Sequence, residues 1–394
     1  MSRHAISTDL PDICSLVTDG THDSPKLQSS GVPFIKGKHI SSGHVDFETC
    51  DFITEEDHLK CIKRVKPQVN DVLFANIGSV GDVARVVDER DFSIKNVALF
   101  RPDPAKVDPT YFYYLVLSPT FRGVFLNVRS GAAQPFISLD AFRSHRFPFN
   151  PDKAQQHKVG IILSAYDDLI ENNRRRMALL EEAARQLYRE WFVRLRFPGH
   201  EHTRITNGVP EGLERKRLRE MAYITMGQSP ESTYYNEHGE GLPFHQGVTD
   251  FGDRFVSHRI YCNALNRIAE AGDILCSVRA PVGRLNVTLD RIVIGRGLSA
   301  LRSKTANQSF LFQQLRAHFF KEDLIGSGAI FASVTKKEFE SQDLMDPPER
   351  LKRAFEDVIV PCDEQLRVLH LQNEKLRAAR NLLLPRLMSG GISV

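Results

Sequence analysis

Residues 163–191 read LSAYDDLIENNRRRMALLEEAARQLYREW, and within them Leu163, Tyr166, Ile170, Asn173, Met177, Leu180, Ala184, Leu187 and Trp191 recur at alternating steps of three and four. Such steps keep side chains on one stripe of an α-helix, and a stripe sustained over several heptads is the seam of a coiled coil. The same seam returns 196 positions later as Ile359, Cys362, Leu366, Leu369, Asn373, Leu376, Arg380, Leu383 and Leu387. Each seam carries one asparagine, Asn173 and Asn373, a residue that costs stability when buried but fixes register. Because the seams share one phase, each is the natural partner of the other. With a whole domain of chain between them, they are expected to pair antiparallel, with the two domains at opposite ends. The first pattern runs from about Asp152 to Phe192, roughly 60 Å at 1.5 Å per residue, which is longer than a small domain is wide. Pro361 falls inside the second pattern and predicts a break or kink, since proline removes a backbone donor and crowds the preceding turn. Pro385 predicts an end before Ser389-Gly390-Gly391.

The repeat extends beyond the helices. Val32-Pro-Phe-Ile-Lys-Gly37 returns as Leu242-Pro-Phe-His-Gln-Gly247, and Asp71-Val-Leu-Phe-Ala with Val80-Gly81 returns as Asp273-Ile-Leu-Cys-Ser with Val282-Gly283. Tyr111-Phe-Tyr-Tyr-Leu returns as Phe310-Leu-Phe-Gln-Gln-Leu. Ser130-Gly131-Ala132, Phe142 and Pro151 return as Ser327-Gly328-Ala329, Phe339 and Pro348, all at one shift of 197. An ordered series of this kind marks a duplicated domain, with a period far beyond that of solenoid repeats. Val32-Pro-Phe-Ile, Asp71-Val-Leu-Phe-Ala and Val83-Ala-Arg-Val-Val87 predict short strands between glycine and aspartate turns. The aromatic segment Tyr111–Leu117, after Asp108-Pro-Thr, predicts a short buried helix capped by Asp108. The resulting fold class is α+β. A first domain spans 1–150, a first long helix 151–196, a second domain 197–347, and a second long helix with its tail 348–394.

The 394 residues suit two or three domains, and 41% hydrophobic with 26% charged residues is an ordinary globular composition. The longest strongly apolar run, Tyr111–Leu117, is too short to cross a bilayer, and Met1–Leu10 has no apolar export core. These features predict a cytoplasmic chain away from membranes, with its six scattered cysteines as reduced thiols. A net charge of +3 leaves nucleic-acid binding open, since a local basic patch is enough. No phosphate loop, dinucleotide fingerprint, nucleophile elbow or zinc-protease motif occurs. His44, Cys50, His58 and Cys61 do not have the spacing of a common zinc framework. Asp346-Pro-Pro-Glu349 is similar to the Asp/Asn-Pro-Pro-aromatic motif of DNA amino-methyltransferases, but Glu349 stands where a base-stacking aromatic would be needed. Gly78-Ser-Val-Gly81 and Ala280-Pro-Val-Gly283 read as tight turns after strands. No catalytic or metal-binding residue is expected.

Over essentially its whole length the chain resembles the specificity subunits of type I restriction-modification systems. The resemblance rests on Ser164–Arg176, Leu179-Leu-Glu-Glu182, Leu187-Tyr-Arg-Glu-Trp-Phe192 and the ending Arg380-Asn-Leu-Leu-Leu-Pro-Arg-Leu-Met-Ser-Gly390 with Ile392. Val209-Pro-Glu-Gly212 resembles the entry to a second recognition domain, with Leu213 where tryptophan is common. The resemblance implies two target-recognition domains, each binding half of a split, asymmetric site in double-stranded DNA. It implies helices that act as spacer and dock two methyltransferase subunits, with restriction/motor subunits joining them. S-adenosylmethionine, ATP and Mg²⁺ would then belong to those partners, and this chain would support endonuclease and adenine-methyltransferase activities without catalysing either.

Sequence readout needs donors and acceptors at groove edges, with other cations on phosphates. The candidates are Lys36, Lys38, Asn76, Arg129 and Gln134 in the first domain, and His245, Gln246, Arg279, Arg296 and Lys336 in the second. Arg174, Arg175 and Arg176 form a basic run suited to phosphates, to a partner's acids or simply to solvent. Tyr188, Trp191 and Phe192 are candidate anchors for a partner subunit. Two other readings compete: the recognition subunit of a two-chain restriction system, and a coiled-coil adaptor for protein partners.

Overall fold

The aromatic run after Asp108 shows how local chemistry builds this chain. Pro109 preorganises the first turn, the Asp108 carboxylate accepts from the Thr110 and Tyr111 amides, and the helix Pro109–Leu117 buries Tyr111 through Val116. That is the predicted helix with its predicted cap. The computed structural model describes residues 5–41, 43–78, 80–127, 135–206, 209–319, 334–392 and 394. The Ser130-Gly131-Ala132 and Ser327-Gly328-Ala329 matches lie outside them.

The chain divides into two units: residues 1–172 with 372–394, and residues 173–371. Both boundaries fall inside long helices, whereas the sequence reading drew them at the junctions of domain and helix. In the first unit an antiparallel sheet runs in the order Cys14–Asp19, Ala98–Pro102, Val72–Phe74, Val83–Arg85. Beside it lies a three-stranded sheet, Asp51–Ile53, Val32–Lys36, Ser93–Lys95, whose last two strands run parallel with Phe34 opposite Ser93. In the second unit the corresponding sheet runs Ala222–Met226, Leu298–Ser303, Ile274–Ser277, Leu285–Val287. Its five-stranded neighbour again pairs Leu242–His245 parallel with Ile292–Ile294, with Phe244 opposite Val293. The duplication seen in the sequence is thus a duplication of strand order and register.

The repeat also preserves one polar device. Asp71 is almost fully buried, takes a bidentate pair of 2.8 Å bonds from Arg101 and accepts the Gln68 amide at 2.8 Å. Asp273 likewise takes Arg302 at 2.7 Å and the Glu270 amide at 2.8 Å. Each aspartate ties the strand that follows it to the next strand of the sheet and closes the turn before it. The Val-Gly turns after these strands also match: Gly81 and Gly283 hold φ of +110° and +85°, where a side chain would be strained. Their amides close back on Ala75 and Ser277.

Each unit contains segments of both long helices, Lys153–Tyr188 and Glu349–Met388. In the first unit, Leu163 shares a core with Leu384 and Leu387, and Asn373 donates to the Ile170 carbonyl at 3.4 Å. Asp167 accepts from Tyr114 Oη at 2.6 Å and pairs with Arg380, so one carboxylate joins domain and both helices. In the second unit, Met177 packs with Leu366 and Leu369, while Ala184, Tyr188 and Phe192 meet Phe355 and Ile359. Ascending one helix descends the other in each unit, so the pairing is antiparallel, and both Asn173 and Asn373 are buried. The seam residues Tyr166, Leu180, Leu187, Cys362, Leu376, Arg380 and Leu383 are half-buried at its margins.

One local expectation needs correction. The second helix is not broken at Pro361; it ends at Met388, before Ser389-Gly390-Gly391 as expected. Pro361 is exposed, so its lost bond leaves a carbonyl that water can satisfy, while buried Ile359 and Leu366 hold the turns on either side. The first helix ends in a widened π-type turn over Arg189–Val193, closed by the Arg194 amide on the Arg189 carbonyl at 2.8 Å.

Asp71→Ala should destabilise the first unit by about 2–4 kcal/mol, because it strands the Arg101 guanidinium and the Gln68 amide. Urea unfolding checks this; a loss no larger than that of an exposed aspartate would show the pair to be energetically idle.

A candidate DNA-reading surface

The ends of buried strands decide which side chains this surface can offer a ligand. In Leu242–His245, Phe244 and His245 are buried, and Gln246 immediately after the strand is exposed. Gly295-Arg296-Gly297 crosses directly against it, with the Gly295 and Gly297 amides bonded to the His245 and Gln246 carbonyls at 2.8 and 3.2 Å. A β-carbon on Gly295 would lie 2.9 Å from Gln246 Cα, and one on Gly297 would lie 2.4 Å from its carbonyl. Only glycines permit the crossing, and it sets Arg296 beside Gln246. The Arg296 amide is held by Ser229 Oγ at 3.2 Å.

A second loop completes the surface. Ser277, buried at the end of its strand, donates to the Pro281 carbonyl at 2.6 Å and accepts the Arg284 amide at 2.8 Å. The Val278 amide bonds to the Gly297 carbonyl at 2.9 Å, which fastens this loop to the crossing. Arg279 projects from it, so Gln246, Arg279 and Arg296 line one shallow pocket. The structure therefore brings together three of the five second-domain candidates. Lys336 stands apart on the helix Lys336–Glu340, with its ammonium 3.5 Å from Glu340.

His245 is not a surface reader. It is fully buried, with Nε2 3.0 Å from His258 Nδ1, and His258 Nε2 lies 3.0 Å from Asp290. The proton order that satisfies most of these atoms runs from His245 to His258 and from His258 to Asp290. It leaves His245 Nδ1 without a hydrogen bond, 3.6 Å from the Asp250 carboxylate that Arg259 holds at 3.1 Å. The chain of rings braces the strand residue that precedes Gln246. Its residues are far apart in sequence, and nothing in the spacing of His245, His258 and Asp290 announced them.

In the first domain Lys36 ends its strand with its ammonium 2.8 Å from Asp51, and Lys38 reaches the same carboxylate at 3.5 Å. The bond from Lys36 lowers the Asp51 pKa and outweighs the opposing effect of burial. Asn76 is buried and donates to the Ile137 carbonyl at 3.1 Å, so it braces a loop instead of facing solvent. Arg129 and Gln134 lie outside the described residues. The shared registers identify Lys36, Ile77 and Asn96 as the counterparts of Gln246, Arg279 and Arg296. Asn96, which sequence reading passed over, meets His22 at 2.9 Å.

The aromatic anchors also need correction. Tyr188 and Phe192 are buried with Phe310 and Phe355 inside the second unit, and Trp191 packs half-buried at the edge of that cluster. The apolar side of this helix segment faces its own domain, which consumes them. Arg174 is half-buried, and Arg175 and Arg176 are exposed. Among the described residues no group of histidine, cysteine and carboxylate side chains could hold a metal, and no helix is long and apolar enough to cross a membrane.

Burial, assisted by neighbouring His258, lowers the His245 pKa from 6.5 to about 4 against the opposing pull of Asp250. A histidine kept neutral by the fold contributes stability that is present above its unfolded pKa and lost as pH falls from about 6.5 towards 4. The urea midpoint of the second unit should therefore drop between pH 7 and pH 5, and His245→Gln should shrink that drop. An equal drop in both proteins would assign the pH dependence elsewhere.

Comparisons with known proteins agree with this architecture. A family model described as the type I restriction modification DNA specificity domain matches residues 8–182. A putative type I restriction enzyme specificity subunit of Methanocaldococcus jannaschii is 28% identical over 98% of this chain and 93% of its own length. A second specificity subunit of that organism is 23% identical over 72% of this chain and 69% of its own. The crystal structure of a type I system S subunit from M. genitalium shares the fold, with a TM-score of 0.58 at 15% identity over 98% of this chain and 97% of that one. Residues 8–182 thus match a type I restriction modification DNA specificity domain, and over nearly its whole length the chain is similar to a putative specificity subunit of a type I restriction enzyme.

Proposed function

We propose that this chain reads a split, asymmetric target in double-stranded DNA, one half with each domain, and docks two methyltransferase subunits and the restriction/motor subunits. The observation that carries this reading is the duplication itself. Two domains share strand order, register and the Asp71/Asp273 device, yet place Lys36, Ile77 and Asn96 in one where the other has Gln246, Arg279 and Arg296. One scaffold displaying two different sets of side chains suits two different half-sites. Methyl transfer and cleavage then belong to the complex in the cytoplasm, with S-adenosylmethionine on the methyltransferase subunits and ATP with Mg²⁺ on the restriction subunits.

Mapping methylated adenines in DNA exposed to the assembled complex tests this directly. A two-part motif is expected, and exchanging residues 1–150 for those of a relative should change one half only. Modification without sequence preference, or no salt-dependent duplex binding, would instead favour an adaptor for protein partners.

With Tyr188 and Phe192 buried, partner docking falls to apolar side chains that the helices leave in water. Leu169 and Leu382 in the first unit and Leu179 and Val360 in the second are exposed, Leu179 by 71%. Exposed leucines on a helix surface suit a protein partner. Leu179→Asp should change stability by no more than about 0.5 kcal/mol, since it removes nothing buried, while lowering the yield of complex on gel filtration. Leu366→Asp should unfold the helix pair itself. Normal assembly by the Leu179→Asp protein would place docking elsewhere.

A further inference from the structure

We infer that the second domain recognises a half-site containing guanine, with Arg279 and Arg296 as the groups that read it; this rests on the DNA-reading function proposed above. The reasoning begins with what holds the arginines and what leaves their heads available. Arg279 rises from a loop closed at both ends by the Ser277 hydroxyl, and Arg296 from a crossing that only glycines permit. The bond from the Val278 amide to the Gly297 carbonyl locks the two backbones together. Both side chains are exposed, and among the described residues neither is paired with a carboxylate. Elsewhere three structurally engaged arginines of this chain are neutralised by carboxylates. Arg101 and Arg302 hold aspartates, and Arg254 is buried between Asp363, Glu181 and the face of Phe312.

Two preorganised guanidinium groups and a carboxamide around one shallow concavity match base edges in the major groove. Guanine offers O6 and N7 as paired acceptors to the arginine fork, and Gln246 beside them can both donate and accept, as an adenine edge requires. A phosphate track calls for a different layout, with cations spread along a line and no need for a glycine-permitted crossing to fix their direction. The first domain lacks this set. Its counterpart lysine is held by Asp51, its counterpart of Arg279 is Ile77, and Asn96 is engaged by His22. The asymmetry of the target thus follows from the side chains at three equivalent positions.

The test uses the complete complex with its partner subunits. Domain exchange first assigns each half-site to its domain; competition binding with duplexes changed one base pair at a time then measures preference at every position. The half-site of the second domain should contain at least one G·C pair. Arg279→Ala and Arg296→Ala should each cut discrimination at one such position by roughly 10- to 100-fold, the scale of a lost bidentate contact. The first half-site should keep its letters. Arg279→Lys and Arg296→Lys retain the charge and guard against a folding defect; they should lose the preference while keeping the salt slope. A second half-site without G·C pairs would overturn the assignment. So would variants that weaken every duplex equally with a shallower salt slope, as phosphate contacts do. If the unaltered complex showed no sequence preference at all, the DNA-reading function itself would fail, which is a different result from a two-part motif that ignores both arginines.

Discussion

The antiparallel burial of one helix seam against the other is the interaction on which the remaining structure depends. A stripe two residues wide per heptad cannot be covered by a small sheet alone, and each domain of this chain is built onto a segment of both helices. Leu163 with Leu384 and Leu387 belongs to the core of the first domain, as Ala184 with Phe355 and Ile359 belongs to that of the second. Domain folding and helix pairing are therefore one burial event in each unit, and the buried Asn373 with its bond to Ile170 ties the pairing to one register.

Charge placement follows the same logic. Asp167 on the first helix and Asp363 on the second stand 196 residues apart, and each accepts from its own domain, from Tyr114 in one case and Arg254 in the other. A buried guanidinium loses several kcal/mol of hydration, which only close acids and an aromatic face can offset. The specificity of these contacts matters more than their net energy, because an apolar contact would tolerate sliding along the helix and a paired charge would not. The Asp71–Arg101 and Asp273–Arg302 pairs hold strand register in the sheets by the same means.

The side chains proposed to read DNA sit at the margins of this frame. Their backbones are fixed by buried groups such as Ser277 and His245, and by glycines that exist to let chains touch. Such a frame can accept different side chains at Gln246, Arg279 and Arg296 without altering a single core contact. A protein whose targets must vary while its assembly stays constant gains from that separation of roles.

Much of this was legible in the sequence. Heptad phase fixes both helices and their seams, because a period of three and four survives any tertiary context. The ordered repeat fixes the duplication, and Asp108-Pro-Thr fixes the capped aromatic helix. The family resemblance needed only motifs. What the sequence could not settle was the direction of side chains set by distant contacts. His245 reads as a surface donor until burial against His258 makes it a support, and Asn76 reads as a base contact until Ile137 accepts from it. Tyr188 and Phe192 look like anchors for a partner, yet their own domain takes them. Pro361 reads as a helix break, but flanking core contacts carry the helix through it. Local periodicity is written in neighbouring residues and can be read from them, whereas exposure depends on what the fold brings from 13 to 109 residues away and is decided only in three dimensions.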